Sequence, residues 1–192
     1  MVTRAEHRRS TLLRLSDAAV ELFEERHPDR PTAEEIADRA GVSRRTVFRY
    51  VETKEDLAFI RPTLWLEIFD RAVAEVADTP IRDRILHGAH QISLDIDADP
   101  EPVRRGLLVA SRSPGMAGRY GAVNRRWVER IATEIAGPDP DADTAFRAHV
   151  LGSAVMGVID AALAEWVEDP RGRPLVDLVD RGRDHLAPIL HD

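Results

Sequence analysis

Residues 32–50, TAEEIADRAGVSRRTVFRY, predict two short helices joined by a tight turn. Thr32 with Glu35 three positions later is the capping-box pattern of a helix start, in which each side chain accepts a hydrogen bond from the other residue's amide. Gly41 stands just past this helix, where a left-handed C-terminal residue favours glycine. Ser43 is suited to cap the second helix. The pattern predicts a helix-turn-helix.

The second of these helices has an outward face that is polar and cationic. Val47 is expected to pack inward against Ile36 and Ala37, which leaves arginine and hydroxyl side chains outward. Such a helix suits a DNA major groove, because arginine can hydrogen-bond guanine bidentately and threonine can touch a thymine methyl or a phosphate. Phe48 is expected to be a core residue rather than a DNA contact. The candidate DNA-binding residues are Thr32, Ser43, Arg44, Arg45, Thr46, Arg49, Tyr50 and Lys54.

Two alternatives to base-specific binding stay open for this motif. Arg45 either reads a base or meets only a phosphate, without base specificity. The helix pair could also belong to a helical adaptor or protein-interaction module whose helix-turn-helix reads no DNA. Charge favours a DNA contact: the chain has a formal net charge of −7, but residues 41–54 hold three arginines and one lysine against Glu52 alone.

The remaining sequence is helical in pattern, with prolines and glycines marking the breaks, and the alternation typical of strands is absent. We therefore predict an all-α protein of about nine helices. A long helix over residues 54–77 is expected to be kinked or split at Pro62. The predicted helices are 8–25, 33–40, 44–50, 54–77, one opening at each of Pro80, Pro100 and Pro114, and then 142–167 and 175–190.

Composition and motifs disfavour several other classes of protein. The 192 residues include no cysteine, which excludes a disulfide scaffold, thiolate metal sites and a cysteine nucleophile. No zinc-binding H-E-x-x-H, P-loop or G-x-S-x-G motif is present, so no enzyme activity and no cofactor or metal is expected. His87 and His90 lie three apart on one predicted helix, but no third metal ligand is evident. No signal peptide or apolar run of membrane-spanning length is visible, so a cytoplasmic protein without membrane contact is expected.

The motif and the residues after it, 32–57, resemble the DNA-binding signature of the TetR family of bacterial transcriptional regulators. Two positions depart from the family pattern: Phe48 stands where tyrosine is usual, and Val51 where phenylalanine is usual. The resemblance implies a homodimer that binds double-stranded DNA at a palindromic operator and is released by a small-molecule effector. A repressor is expected, and an activator fits the same residues.

The same resemblance implies a helix-turn-helix DNA-binding domain at residues 1–53 and a helical ligand-binding and dimerisation domain at 54–192, linked by the helix over 54–77. The C-terminal half resembles the actinobacterial subgroup described with an acyl-CoA-like ligand domain. A largely apolar effector with one or two polar anchors is expected among the middle helices, where each candidate residue could also be plain core. The candidates are Trp65, Phe69, His90, Leu94, Met116, Tyr120, Trp127, His149 and Met156.

The resemblance also implies that the dimer forms through the last two helices, the eighth and the ninth. The predicted helix 142–167 supports this independently, because it is apolar nearly all round. Such a helix should be buried on one side by its own domain and on the other by a partner. The expected interface residues are Val150, Gly157, Ile159, Leu163, Leu178 and Leu186.

Overall fold

The computed structural model describes residues 3–168 and 172–186, with Leu186 described by its backbone alone, and these residues form helices and no strand. The prediction of an all-α protein with nine helices is confirmed for this part of the chain. The α-helices are α1 (Arg4–Arg26), α2 (Ala33–Ala40), α3 (Arg44–Tyr50), α4 (Ile60–Glu75), α5 (Ile81–Ala98), α6 (Pro100–Ala110), α7 (Pro114–Ala136), α8 (Ala142–Glu168) and α9 (Leu175–Leu186), and a 3₁₀ helix, Lys54–Phe59, precedes α4. The end of the last predicted helix, beyond Leu186, lies outside the described residues.

The first helix begins earlier than predicted, because Thr3 and Glu6 form a capping box of their own. The Glu6 amide donates to Thr3 Oγ1 over 3.2 Å, and the Thr3 amide donates to Glu6 Oε2 over 2.6 Å. The prediction began this helix at about Arg8, shortly before its apolar face starts at Leu12, and the cap at Thr3 lies further upstream. Arg4 and Arg8 are therefore exposed residues on a helix.

The predicted break in the long fourth helix lies ahead of Pro62 rather than at it. The chain forms a 3₁₀ helix over Lys54–Phe59 and changes to α geometry at Ile60. Pro62 is then in the first turn of α4, where backbone amides lack an intrahelical partner in any case. The proline therefore fits the start of a helix and needs no kink.

Contacts group the described residues into two compact units. The first unit comprises the residues up to Trp65 together with Glu101–Val123, so it joins α6 and the start of α7 to the helix-turn-helix. Its core includes Val47 of α3, Val109 of α6 and Met116 of α7, none of which has exposed surface. This grouping differs from the predicted division, which followed chain order, because burial decides which helices share a core.

The second unit comprises Leu66–Pro100 and the described residues from Asn124 onward. Its interior contains the Phe69 and Trp127 rings, which meet edge to face with centroids 5.7 Å apart and planes at 87°. Trp166 of α8 is also buried. Aromatic pairs of this geometry add to the stabilisation that comes from area burial alone.

Glycines let α8 approach its neighbours closely within this unit. A Cβ at Gly152 would lie 3.0 Å from the Val128 carbonyl oxygen on α7, and a Cβ at Gly182 on α9 would lie 2.6 Å from Val158 Cγ1 on α8. Gly157 of α8 is different, since a Cβ there would meet nothing within 4 Å. The two α8 glycines therefore face different surroundings.

The expectation that no segment has the length and hydropathy of a membrane span is corrected by α8. Over an 18-residue window this 27-residue helix has a mean hydropathy of 1.6, and 22% of the window is buried. Alanines separate the large apolar side chains of this helix, so no continuous run is visible, but alanine itself counts as apolar in the average. Length and composition do not separate a membrane span from a helix that is buried between two subunits.

We expect Gly152→Ala to lower the free energy of unfolding in urea by about 1–3 kcal/mol, because the added methyl meets α7 backbone, which cannot move aside. Gly118→Ala is the matched control, since a Cβ at Gly118 on α7 meets nothing within 4 Å. That change should raise stability by about 0.5–1 kcal/mol through helix propensity. Equal effects of the two substitutions would contradict the close packing of α8 on α7.

Candidate nucleic-acid interface

The turn between α2 and α3 has the predicted caps. The Glu35 amide donates to Thr32 Oγ1 over 3.2 Å, and the Thr32 amide donates to Glu35 Oε2 over 2.8 Å. Gly41 adopts φ +67°, and its left-handed conformation lets the Val42 amide reach the Ala37 carbonyl at 2.9 Å. These features confirm the predicted helix-turn-helix.

Hydrogen bonds keep the capping carboxylate charged. The Thr32 amide, followed by the Arg26 guanidinium, lowers the pKa of Glu35 to about 2. Because this pKa is lowered in the folded state, the contribution of Glu35 to stability is present above the ordinary value of 4.5 and is lost as pH falls from there towards 2. The start of α2 is therefore fully capped at neutral pH.

The rotation of α3 is set by Val47, which has no exposed surface. At about 100° per residue, Arg45 and Arg49 lie opposite Val47 and form the centre of the outward face. Both arginines are exposed. Arg49 also donates to the Tyr50 hydroxyl over 2.8 Å, and its guanidinium carbon lies 4.7 Å from the centre of that ring. The outward face of α3 is therefore built around two arginines.

Phe48 is exposed, which corrects the expectation that it belongs to the core. Its relative exposure is 46%, and the Arg44 guanidinium carbon lies 5.6 Å from its ring centre. The physical reason is the helical period: with Val47 inward, the next residue turns about 100° away from the core. Phe48 and Arg44, one turn apart, form one edge of the outward face.

Three predicted DNA-binding residues already use their hydroxyls in caps. Thr32 Oγ1 donates to Glu35 over 3.0 Å, and the Ser43 and Thr46 hydroxyls lie 2.9 Å apart. The Thr46 amide donates to Ser43 Oγ over 3.2 Å. A hydroxyl has one donor and two acceptor sites, so each retains capacity for a further partner.

Lys54 makes contacts inside the first unit. Its ammonium donates to the Pro28 carbonyl over 2.9 Å and lies 3.4 Å from Glu55 Oε1 and 5.9 Å from the Phe23 ring centre. These contacts hold the segment after α1 against the start of the 3₁₀ helix. A phosphate would have to compete with them for the same ammonium.

Ion pairs distribute charge unevenly over the first unit. Arg26 pairs with Glu35 at 2.5 Å, and Arg39 pairs with Glu21 at 3.2 Å and with Glu25 at 3.1 Å. The arginines of α3, by contrast, make no ion pair with any carboxylate of the described residues. Their charge is therefore available to a polyanion.

Long-range polar contacts join α6 and α7 to the helix-turn-helix side of the first unit. Arg119 of α7 donates to Asp56 Oδ1 over 2.6 Å, and Asp56 Oδ2 accepts from both the amide and the hydroxyl of Thr53, each over 2.9 Å. Arg105 of α6 donates to Glu24 Oε2 through Nε over 2.8 Å. Sequence reasoning missed Arg105 and Arg119, because partners 81 and 63 positions apart leave no local pattern.

The predicted ligand-binding residues fall into three environments. Trp65, Met116 and Tyr120 lie in the first unit, where Met116 is fully buried and the Tyr120 ring lies 6.4 Å from Phe59. A second group is buried in the second unit and consists of Phe69, Trp127 and Met156. The third group is exposed, which corrects the expectation that its members line an interior; it consists of His90, Leu94 and His149.

The predicted dimer residues also differ in their exposure. Val150 is 49% exposed, Gly157 is exposed, and Ile159 and Leu163 are half-buried. Leu178 is only 6% exposed and so has little surface left to offer a partner. The side chain of Leu186 lies outside the described residues. Phe146, which was not among the expected interface residues, is the most exposed large apolar side chain described, at 68%.

The two histidines with metal-ligand spacing do not gather further ligands. His87 Nε2 lies 3.6 Å from Glu75 Oε2, and His90 is exposed. Within residues 3–168 and 172–186, no group of three or more histidine and carboxylate side chains could hold a metal ion.

Two family models match the chain. The model of the bacterial regulatory proteins of the tetR family matches residues 15–59, and the model of the MftR C-terminal domain matches residues 79–191, more than half of the chain. The chain is also 25% identical, over 170 residues, to MftR of Mycobacterium tuberculosis strain H37Rv, a protein named as a mycofactocin biosynthesis transcriptional regulator. That alignment covers 87% of this chain and 85% of the relative.

Solved structures share the fold over nearly the whole chain. The fatty acid degradation regulator FadR of Bacillus halodurans matches with a TM-score of 0.65 at 16% identity, covering 94% of this chain and 96% of that one. FadR of Thermus thermophilus, a TetR-family repressor in complex with lauroyl-CoA, matches with a TM-score of 0.60 at 20% identity, covering 94% and 95%.

The outward arginines of α3, the capped turn that presents them and the two family matches agree with one another. The chain belongs to the tetR family of bacterial regulatory proteins and is a DNA-binding transcriptional regulator with a ligand-binding C-terminal domain.

Proposed function

We propose that the protein is a cytoplasmic, homodimeric repressor that binds a palindromic operator and is released by an acyl-CoA-like effector. The observation that carries this proposal is the cationic outward face of α3, on which Arg44, Arg45 and Arg49 have no carboxylate partner among the described residues. Each protomer inserts α3 into a major groove, and the two-fold symmetry of the dimer matches the symmetry of the operator. As in other members of the family, residues 1–53 bind DNA, and residues 54–192 bind the ligand and form the dimer.

The proposed effector has a long apolar chain. Two considerations support this class: Phe69, Trp127 and Met156 form part of an apolar interior in the second unit, and the T. thermophilus repressor of similar fold carries lauroyl-CoA. Apolar interiors with a few polar groups are typical of ligand sites in helical domains.

The coupling between effector and DNA would run through α7. This helix extends continuously over Pro114–Ala136, and its first part shares a core with α3. Arg119 connects it to Asp56, the carboxylate that also accepts hydrogen bonds from Thr53, just after α3. The effector can weaken DNA binding only by as much as its affinities for the two states differ.

Dimerisation would cover the outward side of α8. The exposed large apolar residues Phe146 and Val150 lie one turn apart on this side, and Gly157 continues it further along the helix. A second copy of α8 and α9 packed there would bury these side chains and could approach closely at Gly157. The high mean hydropathy of α8 then reflects burial in a dimer rather than in a membrane.

Operator binding is the first test. We expect tight, competitor-resistant binding to one segment of the DNA that flanks the protein's own gene, measured by fluorescence anisotropy against tiled duplexes at two salt concentrations. Affinity should fall steeply with salt, because phosphate contacts release counterions. Weak binding that is equal for every duplex and abolished by salt would contradict the proposal and favour the adaptor alternative.

Within that assay, Arg45→Ala is expected to weaken operator binding by about 1–3 kcal/mol and to relax preference at one position of each half-site, if this arginine reads a base. Arg126→Ala is the matched control, because Arg126 is an exposed arginine of the second unit, and it should change affinity little. Uniform weakening on all sequences by Arg45→Ala would show that Arg45 meets only a phosphate.

Effector coupling is tested with Arg119→Gln and lauroyl-CoA as the probe. We expect lauroyl-CoA to lower operator affinity of the wild type, and the substitution to reduce this coupling by about 0.5–2 kcal/mol, since it breaks the contact between α7 and Asp56. Arg126→Gln should leave the coupling unchanged. A wild type that ignores lauroyl-CoA would contradict the effector class, and an unchanged response in Arg119→Gln would contradict the route through Asp56.

The dimer is tested by light scattering. The wild type is expected to have twice the chain mass of 21.5 kDa, and Gly157→Trp is expected to be monomeric, because an indole on the outward side of α8 prevents close approach. Gly118→Trp places the same bulk at another open position and should remain dimeric. If Gly157→Trp stays dimeric as well, the interface lies elsewhere.

A further inference from the structure

One phenylalanine of the first unit lies on its surface while the other two are buried. Phe48 is 46% exposed, whereas Phe23 and Phe59 are 0% and 6% exposed. Among the described residues of this unit, Leu108 on α6 is the other large apolar side chain with comparable exposure, at 45%. Phe48 differs from Leu108 in its position, because it lies on α3, whose arginines make no ion pair with a carboxylate of the described residues.

The surroundings of the Phe48 ring are cationic. Arg44 lies one turn earlier, with its guanidinium carbon 5.6 Å from the ring centre, a distance at which a cation is attracted to an aromatic ring. Arg45 and Arg49 form the neighbouring centre of the outward face. An apolar partner protein would have to desolvate these charges, whereas a nucleic acid would neutralise them.

The chemistry of a phenylalanine narrows what its ring can recognise in DNA. Tyrosine, which is usual at this position in the family, can donate a hydrogen bond to a phosphate. Phenylalanine has no hydroxyl and cannot. The apolar group that base edges display in the major groove is the 5-methyl of thymine. A ring that stands at the edge of the α3 face can pack on this methyl while the arginines contact polar base edges or phosphates.

We propose that Phe48 is a specificity-determining residue that selects thymine by contact with its 5-methyl group. This inference rests on the proposed function and adds a base preference to it. Arg44 acts as a positioning residue, because its guanidinium holds the ring against the helix surface. The half-site is therefore expected to contain one thymine whose methyl, rather than its hydrogen-bonding groups, is read.

The size of the effect follows from the burial of one methyl group. Moving it out of water strengthens binding about fourfold, so two half-sites together should contribute about fifteenfold. Replacing thymine with uracil removes this methyl and leaves the hydrogen-bonding groups of the base pair intact. Uracil substitution therefore isolates the proposed contact.

The experiment is a uracil scan of the operator found by anisotropy, with each thymine replaced in turn, using the full-length dimer. We expect one thymine in each half-site to show about a fourfold loss of wild-type affinity when it becomes uracil. Phe48→Ala should bind the thymine operator more weakly and should not distinguish uracil from thymine at that position. Phe48→Leu, which keeps an apolar side chain, should recover part of the discrimination.

Leu108→Ala is the matched control, since it removes an equally exposed apolar side chain from the same unit and should keep the full uracil effect. Circular dichroism of each variant checks that the fold is retained, as expected for a half-exposed position. If no uracil substitution lowered wild-type affinity, or if Phe48→Ala showed the same loss as the wild type, the proposed methyl contact would be wrong. The proposed function would not be affected by either result. Failure to find any operator would overturn the proposed function together with this inference.

Discussion

The recognition helix, α3, depends on the burial of one side chain, Val47. A helix of seven residues is too short to be stable in water through its own hydrogen bonds, because helix nucleation is costly. Val47 is fully buried in a core that also contains Val109 and Met116, so packing sets both the position and the rotation of α3. Once Val47 points inward, the helical period turns Arg45 and Arg49 towards solvent. The side chains that α3 presents to solvent are therefore determined by its packing against the core, above all against α2.

The same arrangement explains how an acidic protein presents a cationic surface. The chain has a net charge of −7, and away from α3 its carboxylates pair with arginines such as Arg26, Arg39 and Arg105. Exposed pairs of this kind contribute little stability. Their larger consequence is the distribution of charge, because Glu21, Glu25 and Glu35 are engaged by Arg39 and Arg26, whereas the arginines of α3 make no ion pair with a described carboxylate.

Local sequence patterns predicted the helices well. Features that depend on packing between distant parts of the chain could not be predicted from such patterns. Capping at Thr32 and Ser43 and the turn at Gly41 follow from spacings of a few residues, and so they were readable from the sequence. The pairing of Arg119 with Asp56 depends on the tertiary fold and leaves no such spacing. Phe48 was misassigned for a related reason: an apolar residue on a short helix is core or surface according to a rotation that only packing decides. The high mean hydropathy of α8 was overlooked because small residues separate its large apolar side chains.

The placement of the tryptophans allows changes in the protein interior to be measured separately from contacts at the DNA-binding surface. Trp65, Trp127 and Trp166 are all buried, and the helix-turn-helix contains no indole. Intrinsic fluorescence therefore reports on the interior of the helices that follow the recognition helix and is blind to direct contact between α3 and a base. Because the chain also has no cysteine, a single thiol introduced near α3 would carry a second dye without background labelling. Ligand-driven changes in the interior and events at the DNA surface could then be followed at two wavelengths in one sample.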